Sequence, residues 1–506
     1  MKKIAIISAI VMGLGATSCD SYLDINQNPN SPTEENMTTS IMLPAAEMNI
    51  AGSYGDVMRI AGGYFSQHYA QDFGTTNYLD YSQFLMSATR SSSTYTQLMN
   101  RGLNTLETVR RLSAADEEWG TYLAATTLRA FTYQILVDAY GEVPYTEAFN
   151  TGNATPAYDE GAAIYEGLIA ELDEALDKAN ASDLVATNFL FPGENAANWI
   201  KFANAVKLKM LSRESGVSSV DTQIGAIITE GNLPTSDVAY AGCWSNESGA
   251  MSPFYAEEFS SAWGSTQMNV VANVAIIGTM LQKDTEGNVI YADPRLAAFF
   301  ETNASGEYTG GISGFNFSYQ GNSNYQADFF CRPVASYDMP VYLITKSEIE
   351  FFIAEYYARQ NDAAQAEVHY NAAIEASFET AGVGGAAANI QQFPYNQNNY
   401  KESIGIAKWI ALAGVNNYEA WCEMRRLDYP TFGTVSGSDM HNQSSDESYN
   451  PELYVPGTLY TPIRVFGQVG SNHLLERWPY AESSSSRNSK TPEFPGYTSP
   501  VFWGRQ

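Results

Sequence analysis

From Tyr122 to Tyr140 the chain carries no glycine or proline, and Gly141 and Pro144 then close the run. Glycine takes the left-handed turn that ends a helix, and proline cannot continue one. Leu128, Phe131, Ile135 and Ala139 share one helical face, while Tyr122, Ala125, Tyr133, Leu136 and Tyr140 cover most of the rest. A helix that is apolar nearly all round is buried on several sides, so the pattern predicts a central helix with others packed about it. Residues 98–112 read as a charged amphipathic helix, with Leu103, Leu106 and Val109 marking its turns. In residues 158–179, Ile164, Leu168, Leu172, Ala175, Leu176 and Ala179 fall on one face and Glu166, Glu171, Glu174 and Asp177 on the other, a helix with one buried side.

Two further segments read as paired helices. Trp199, Phe202, Ala203 and Val206 within 198–212 fit the spacing of a tetratricopeptide first helix. Residues 345–378 contain Ile349, Phe352, Ile353 and Tyr356 on one face, then Ala366, Tyr370 and Ala373 at second-helix spacing. Thr345 with Glu348 and Asp362 with Gln365 are placed to form capping boxes. The expected fold class is therefore mainly α: TPR-like helical pairs forming an array, with long irregular aromatic-rich loops at 61–93, 232–269, 301–338, 382–400 and 431–460. Irregular stretches of that length are functional or disordered, and their aromatic content argues against disorder.

Charge narrows the partners. The 506 residues hold 27 Lys+Arg against 56 Asp+Glu, a net charge of −29, which excludes the clustered basic surface that nucleic acid requires. Beyond the N-terminus no apolar run approaches the roughly 18 residues needed to cross a bilayer. The N-terminus has Lys2 and Lys3, an apolar stretch at 4–14, and then Ala16-Thr17-Ser18-Cys19. This is similar to a lipoprotein signal, with Ala16 where a larger aliphatic residue is usual. It predicts a signal peptide at 1–18, an acyl (palmitate-type) lipid anchor on Cys19, a Pro/Asn-rich tether at 19–35 and a single helical domain at 36–506. The alternative is simple cleavage that leaves Cys19 unlipidated. Each buried methylene of an anchor contributes about 0.8 kcal/mol, so several chains on one cysteine suffice to hold a membrane. Of the other cysteines, Cys243, Cys331 and Cys422, none sits in a CxxC pair. They allow either one disulfide with a free thiol or three buried thiols.

No cofactor or metal is expected. His68, His369, His441 and His473 are dispersed, no GxSxG or HExxH occurs, and residues 284–288 read as a turn because they lack the later ligands of a calcium loop. The loops instead interleave aromatics with amides and acids. Rigid rings supply contact area at little entropic cost and amides adapt their hydrogen bonds, a mix that suits a glycan or an extended peptide. The candidate ligand residues are Tyr78, Tyr81, Trp263 and Phe317, then Asn77 and Asp80.

Several phrases carry a resemblance. Arg129-Ala130-Phe131 with Asp138, Tyr140, Gly141, Val143, Pro144 and Tyr145 resembles the core signature of the SusD/RagB family of Bacteroidetes outer-membrane nutrient-binding lipoproteins. Cys19, Tyr22, Leu23, Asp24, Asn28 and Pro29 resemble its N-terminus after signal removal. Asp293-Pro294-Arg295 resembles its D-P-R element, and Trp421, Arg425, Arg426 and Pro430 resemble its W-x3-R-R-x3-P phrase. Arg477-Trp478-Pro479-Tyr480 resembles the closing motif, with Ala481 where proline is usual. The resemblance implies a non-catalytic, surface-exposed protein that binds a glycan or oligopeptide and delivers it to a SusC-like TonB-dependent barrel in the outer membrane. The rival readings are an exported lipoprotein glycoside hydrolase and a TPR-like scaffold with protein partners alone.

Overall fold

The computed structural model describes residues 37–72, 75–261, 268–314, 329–441 and 449–504. The expected signal peptide, the expected anchor residue Cys19 and the expected tether lie outside the described residues. The chain is mainly helical, as its periodicity predicts. Helix α1 (Thr39–Ser53) runs through a π-helical turn, Tyr54–Met58, into α2 (Arg59–Phe65) without a break. Sequence reading misses this rod because Pro44, Gly55, Gly62 and Gly63 look like breakers. Packing explains two of those glycines. A Cβ at Gly62 would fall 2.5 Å from the Cα of Tyr418, and one at Gly55 would fall 2.7 Å from a methyl of Val341. Helix α3 (Ala88–Thr96) passes through a second π turn, Gln97–Leu103, into α4 (Asn104–Ala115). The helix predicted at 98–112 thus begins inside a π turn.

The central helix is α5, Trp119–Tyr140, in which every residue from Gly120 to Tyr140 is buried. It ends at Gly141 with φ +86°, a conformation that favours glycine. Helix α4 packs on it, as do α6 (Gly161–Lys178) and α7 (Ala197–Glu214). Phe131 meets the ring of Tyr54 edge-on at 5.2 Å, and burying a side chain of its kind contributes about 1.5–3 kcal/mol.

Helix α8 (Asp221–Glu230) precedes the hairpin of α9 (Lys346–Arg359) and α10 (Ala363–Ala381). Thr345 and Glu348 form the full capping box, with Glu348 N donating to Thr345 Oγ1 at 3.1 Å and Thr345 N to Glu348 Oε2 at 2.9 Å. Asp362 forms half of the second, accepting from Gln365 N at 3.1 Å. Helices α11 (Tyr400–Leu412) and α12 (Asn417–Leu427) follow, and α12 crosses α2.

An ionic network joins the hairpin to the core. Lys209 lies 3.1 Å from Glu419, Lys408 2.9 Å from Glu423, and Arg426 2.6 Å from Glu355 and 2.7 Å from Glu423. Arg213 pairs with Glu419 and stands 3.4 Å from Glu423. Burial alone would push Glu423 up; the charges of Arg426, Lys408 and Arg213 outweigh it and hold the carboxyl well below the ordinary range. Buried charges persist only when matched this closely. The Arg425-Arg426 phrase is thus structural: Arg425 donates to the carbonyls of Glu476 at 2.5 Å and Asp138 at 2.9 Å.

Among the described residues, strands form three two-stranded antiparallel ribbons: β1 (Tyr69–Gln71) with β3 (Val270–Ala272), β2 (Val238–Tyr240) with β6 (Val341–Ile344), and β4 (Leu281–Lys283) with β5 (Val289–Ala292). The long loops are less irregular than predicted. Residues 61–93 hold the end of α2, β1, a helical turn at Leu79–Ser82 and the start of α3, and residues 382–400 hold a helix at Ala386–Gln392. Cys243, Cys331 and Cys422 are free thiols, with Cys243 half-buried and the others buried.

Candidate ligand-binding face

The β1–β3 ribbon stands where several loops meet. Its register pairs Tyr69 with Ala272 and Gln71 with Val270. Two strands of three residues are too short to be stable alone, so side chains hold the assembly. The buried amide of Gln67 grips the backbone of Tyr460: Nε2 donates to its carbonyl at 2.6 Å, and Oε1 accepts from its N–H at 3.1 Å. Tyr460 donates its hydroxyl to Asn273 Oδ1 at 2.9 Å and accepts from Ser313 N at 2.8 Å. Asn273 Nδ2 reaches Tyr69 O at 3.1 Å and Ser313 Oγ at 2.9 Å. Asp72 and Arg332 pair at 2.8 Å, and Arg332 also donates to Met268 O at 2.9 Å.

Three non-glycine residues here have positive φ: Gln67 at 55°, Phe84 at 60° and Met268 at 48°. Such conformations cost roughly 1–3 kcal/mol each and persist where surrounding contacts over-determine them, often at binding sites. Behind the ribbon, His68 is fully buried, bonded through Nδ1 to Asn417 Nδ2 at 2.9 Å. Burial holds its pKa down to about 3, so the ring is neutral and serves as packing.

Four of the expected ligand residues converge on Arg90. Tyr78 and Tyr81 stack on each other at 5.6 Å, and the Arg90 guanidinium lies 5.5 Å and 5.0 Å from their ring centres. Arg90 Nε bonds Asp80 at 3.1 Å, and another of its nitrogens donates to the carbonyl of Asn77. Tyr81 also packs on Tyr64 and Phe65. Burial, reinforced by the Glu258 carboxylate, raises the pKa of the Tyr78 phenol. With these faces covered, Tyr78 and Tyr81 hold the loop's shape, and Asn77 is the exposed member of the group. Trp263 and Phe317 lie outside the described residues.

The structure adds an aromatic cluster that sequence reading passed over. Phe329 and Phe330 meet edge-on at 5.1 Å, and Tyr449 packs against them at 5.5 Å and 5.9 Å. Phe330 is buried, while Phe329 and Tyr449 are half-buried. Tyr449 donates its hydroxyl to Gly310 O at 2.5 Å. The adjacent Phe329-Phe330 pair was the available signal, but its partner lies more than a hundred residues away. Among the described residues no group of three His, Cys, Asp or Glu is placed to hold a metal ion. The 284–288 segment is the expected turn, with Asp284 Oδ1 accepting from the amides of Glu286 at 2.9 Å and Asn288 at 2.8 Å.

The sequence model of the SusD-like family, described as starch-binding and associating with the outer membrane, matches residues 29–449. The chain belongs to the SusD-like family. Solved structures share its fold at low identity. A SusD homologue from Bacteroides uniformis is 21% identical, with TM-score 0.67 over 92% of this chain and 99% of its own. One from Parabacteroides distasonis is 17% identical, with TM-score 0.70 over 92% and 97%. A chitin-binding SusD homologue from Flavobacterium johnsoniae is 20% identical, with TM-score 0.65 over 92% and 96%. No curated relative matches the chain. The TPR-like hairpin and buried central helix are thus features of a SusD-like fold, and no described helix is long and apolar enough to cross a membrane.

Proposed function

We propose that this SusD-like protein captures a glycan at the outer face of the outer membrane and passes it, unaltered, to a SusC-like TonB-dependent barrel. The observation that carries the reading is the loop face: half-buried aromatics and an exposed amide, cross-braced on a rigid helical body. Half-buried rings stack on the C–H face of a sugar, and amides and acids take its hydroxyls. Tyr449, Phe329, Asn77 and Asp80 are assigned to the ligand, with Trp263 and Phe317 joining them on sequence grounds; Tyr78, Tyr81 and Arg90 support the loop. The family description as starch-binding supports a glycan over a peptide, as does the chitin-binding character of the Flavobacterium johnsoniae neighbour. Cys19 is assigned the lipid anchor.

Affinity electrophoresis over starch, chitin-derived and plant-wall glycans tests the reading. Tyr449→Ala with Asn77→Ala should abolish retardation by the glycan that slows the wild type. If wild type migrates alike in every glycan, or reducing ends are released in step with the purified protein, the reading fails. Co-purification of a barrel from native outer membrane tests the delivery step.

A further inference from the structure

We propose that a cleft at the opposite end of α3 from the loop face binds a sugar bearing a carboxylate. The cleft, about 450 Å³, lies between the π turn after α3, residues 144–156 and residues 483–488. That volume lies within the usual range for small-ligand sites. Arg90, in the loop-face cluster, and Asn100, in the cleft, are ten residues apart along one helical rod, on the order of 15 Å. The site therefore does not depend on the loop face binding anything.

Its polar groups divide into two sets. The first is already committed: Thr96 Oγ1 donates to Ser483 Oγ at 3.0 Å, and Asn488 Nδ2 to Pro156 O at 2.7 Å. These bonds fix the walls. The second set consists of Asn100, Asn104 and Arg487, whose side chains have no hydrogen-bond or ion-pair partner among the described residues. Apolar surface comes from Met99 and Phe149.

The backbone is unusual on two walls. Met99 and Asn100 lie on the π turn, and Phe149 has φ +61°. π turns and left-handed non-glycine residues both recur at functional sites, since each costs free energy that packing elsewhere must offset.

The charge selects the ligand class. On a chain of net charge −29, no carboxylate among the described residues lines this cleft, and its one formal charge among them is Arg487. Of the neighbouring acids, Glu147 is engaged by Ala157 N at 2.7 Å, Asn153 Nδ2 at 2.9 Å and Lys490 Nζ at 3.0 Å, and Glu482 accepts from Thr89 Oγ1 at 2.5 Å. A planar guanidinium matches a carboxylate with two parallel hydrogen bonds. The two amides are suited to hydroxyls, and Phe149 to a C–H face. A hexuronate residue presents all three.

The test uses the full chain with a galacturonic acid trimer and its carboxyl-reduced, neutral counterpart, titrated calorimetrically and by ligand-observed NMR. The acidic trimer should bind, and Arg487→Gln should weaken it about tenfold, the loss expected when a charge-assisted pair is removed. Because Arg487 is exposed, its melting temperature should not change. Tyr449→Ala should leave this binding intact, which separates the cleft from the loop face. Equal affinity for the neutral trimer, no effect of Arg487→Gln, loss of binding in Tyr449→Ala, or no binding by wild type would each overturn the assignment. Citrate in a parallel titration distinguishes a sugar site from a bare carboxylate site, and equal affinity for citrate also counts against the proposal.

Discussion

Gly62→Ala is expected to destabilise the protein even though it improves the helix. Gly62 lies in α2 with ordinary helical backbone, where alanine is worth about 1 kcal/mol more than glycine. Opposing that gain, the new Cβ would stand 2.5 Å from Tyr418 Cα, 2.6 Å from Tyr418 N and 2.7 Å from Asn417 O. Comfortable carbon contacts lie near 3.5–4.0 Å, so α2 and α12 must separate by about 1 Å. The atoms in the way are backbone and cannot rotate aside. Tyr418 is also pinned, its hydroxyl donating to Ile135 O at 2.6 Å. Overpacking of this kind costs about 1–3 kcal/mol or more, and we expect a net loss of about 2 kcal/mol. Gly52→Ala is the control. It lies on the same rod with nothing within 4 Å of its added Cβ, and it should gain about 0.5–1 kcal/mol. Unfolding entropy near 2 cal/mol/K per residue makes 1 kcal/mol worth about 1 °C in a chain this long. Calorimetry should therefore show melting shifts of opposite sign, with urea midpoints moving the same way. A Gly62→Ala protein that melts at or above wild type would refute the packing argument.

Other perturbations follow from the same geometry. Glu47 is buried and accepts from Phe189 N at 2.6 Å and Leu190 N at 3.2 Å; burial outweighs those bonds and raises its pKa to about 8. A raised folded pKa means stability present below about pH 4.5 and lost as pH rises toward 8; Glu47→Gln, which cannot ionise, should lessen the fall in melting temperature between pH 4.5 and pH 8.5, although its amide nitrogen cannot accept one of the two backbone bonds. Glu419→Gln leaves Lys209 and Arg213 facing a neutral amide in the core, and urea midpoints should report a loss of about 3–5 kcal/mol. Arg90→Met removes two ring contacts and the Asp80 pair, together about 1–2 kcal/mol. Its effect should be local: hydrogen exchange over residues 75–84 should quicken while α5 stays protected, and unchanged exchange there would remove Arg90 as the loop's brace.

What the sequence determined by itself was the helical body. A run apolar nearly all round, such as 122–140, has one stable environment, the interior, and its closing Gly141 locates the C-terminal end of α5 to the residue, while its first turn begins earlier, at Trp119. The Thr345–Glu348 box is equally local, because a cap is made by neighbours in the chain. Where partners lie far apart, only the tertiary structure decides. Gly62 reads as a breaker until Tyr418 is seen against it. Even Tyr78 and Tyr81, whose brace Arg90 is only nine to twelve residues away, read as open ligand rings until the folded loop stacks them together and lays the guanidinium over them. Phe329 and Tyr449 join one cluster only because the loops that carry them fold back to the same ribbon. The Arg425-Arg426 phrase is visible in the sequence, but its work of neutralising buried carboxylates and satisfying backbone carbonyls depends on Glu355 in α9, Asp138 in α5 and the segment at Glu476. Local free energy is written along the chain; which rings are covered and which stay partly open is set by contacts that exist only once the loops have folded together.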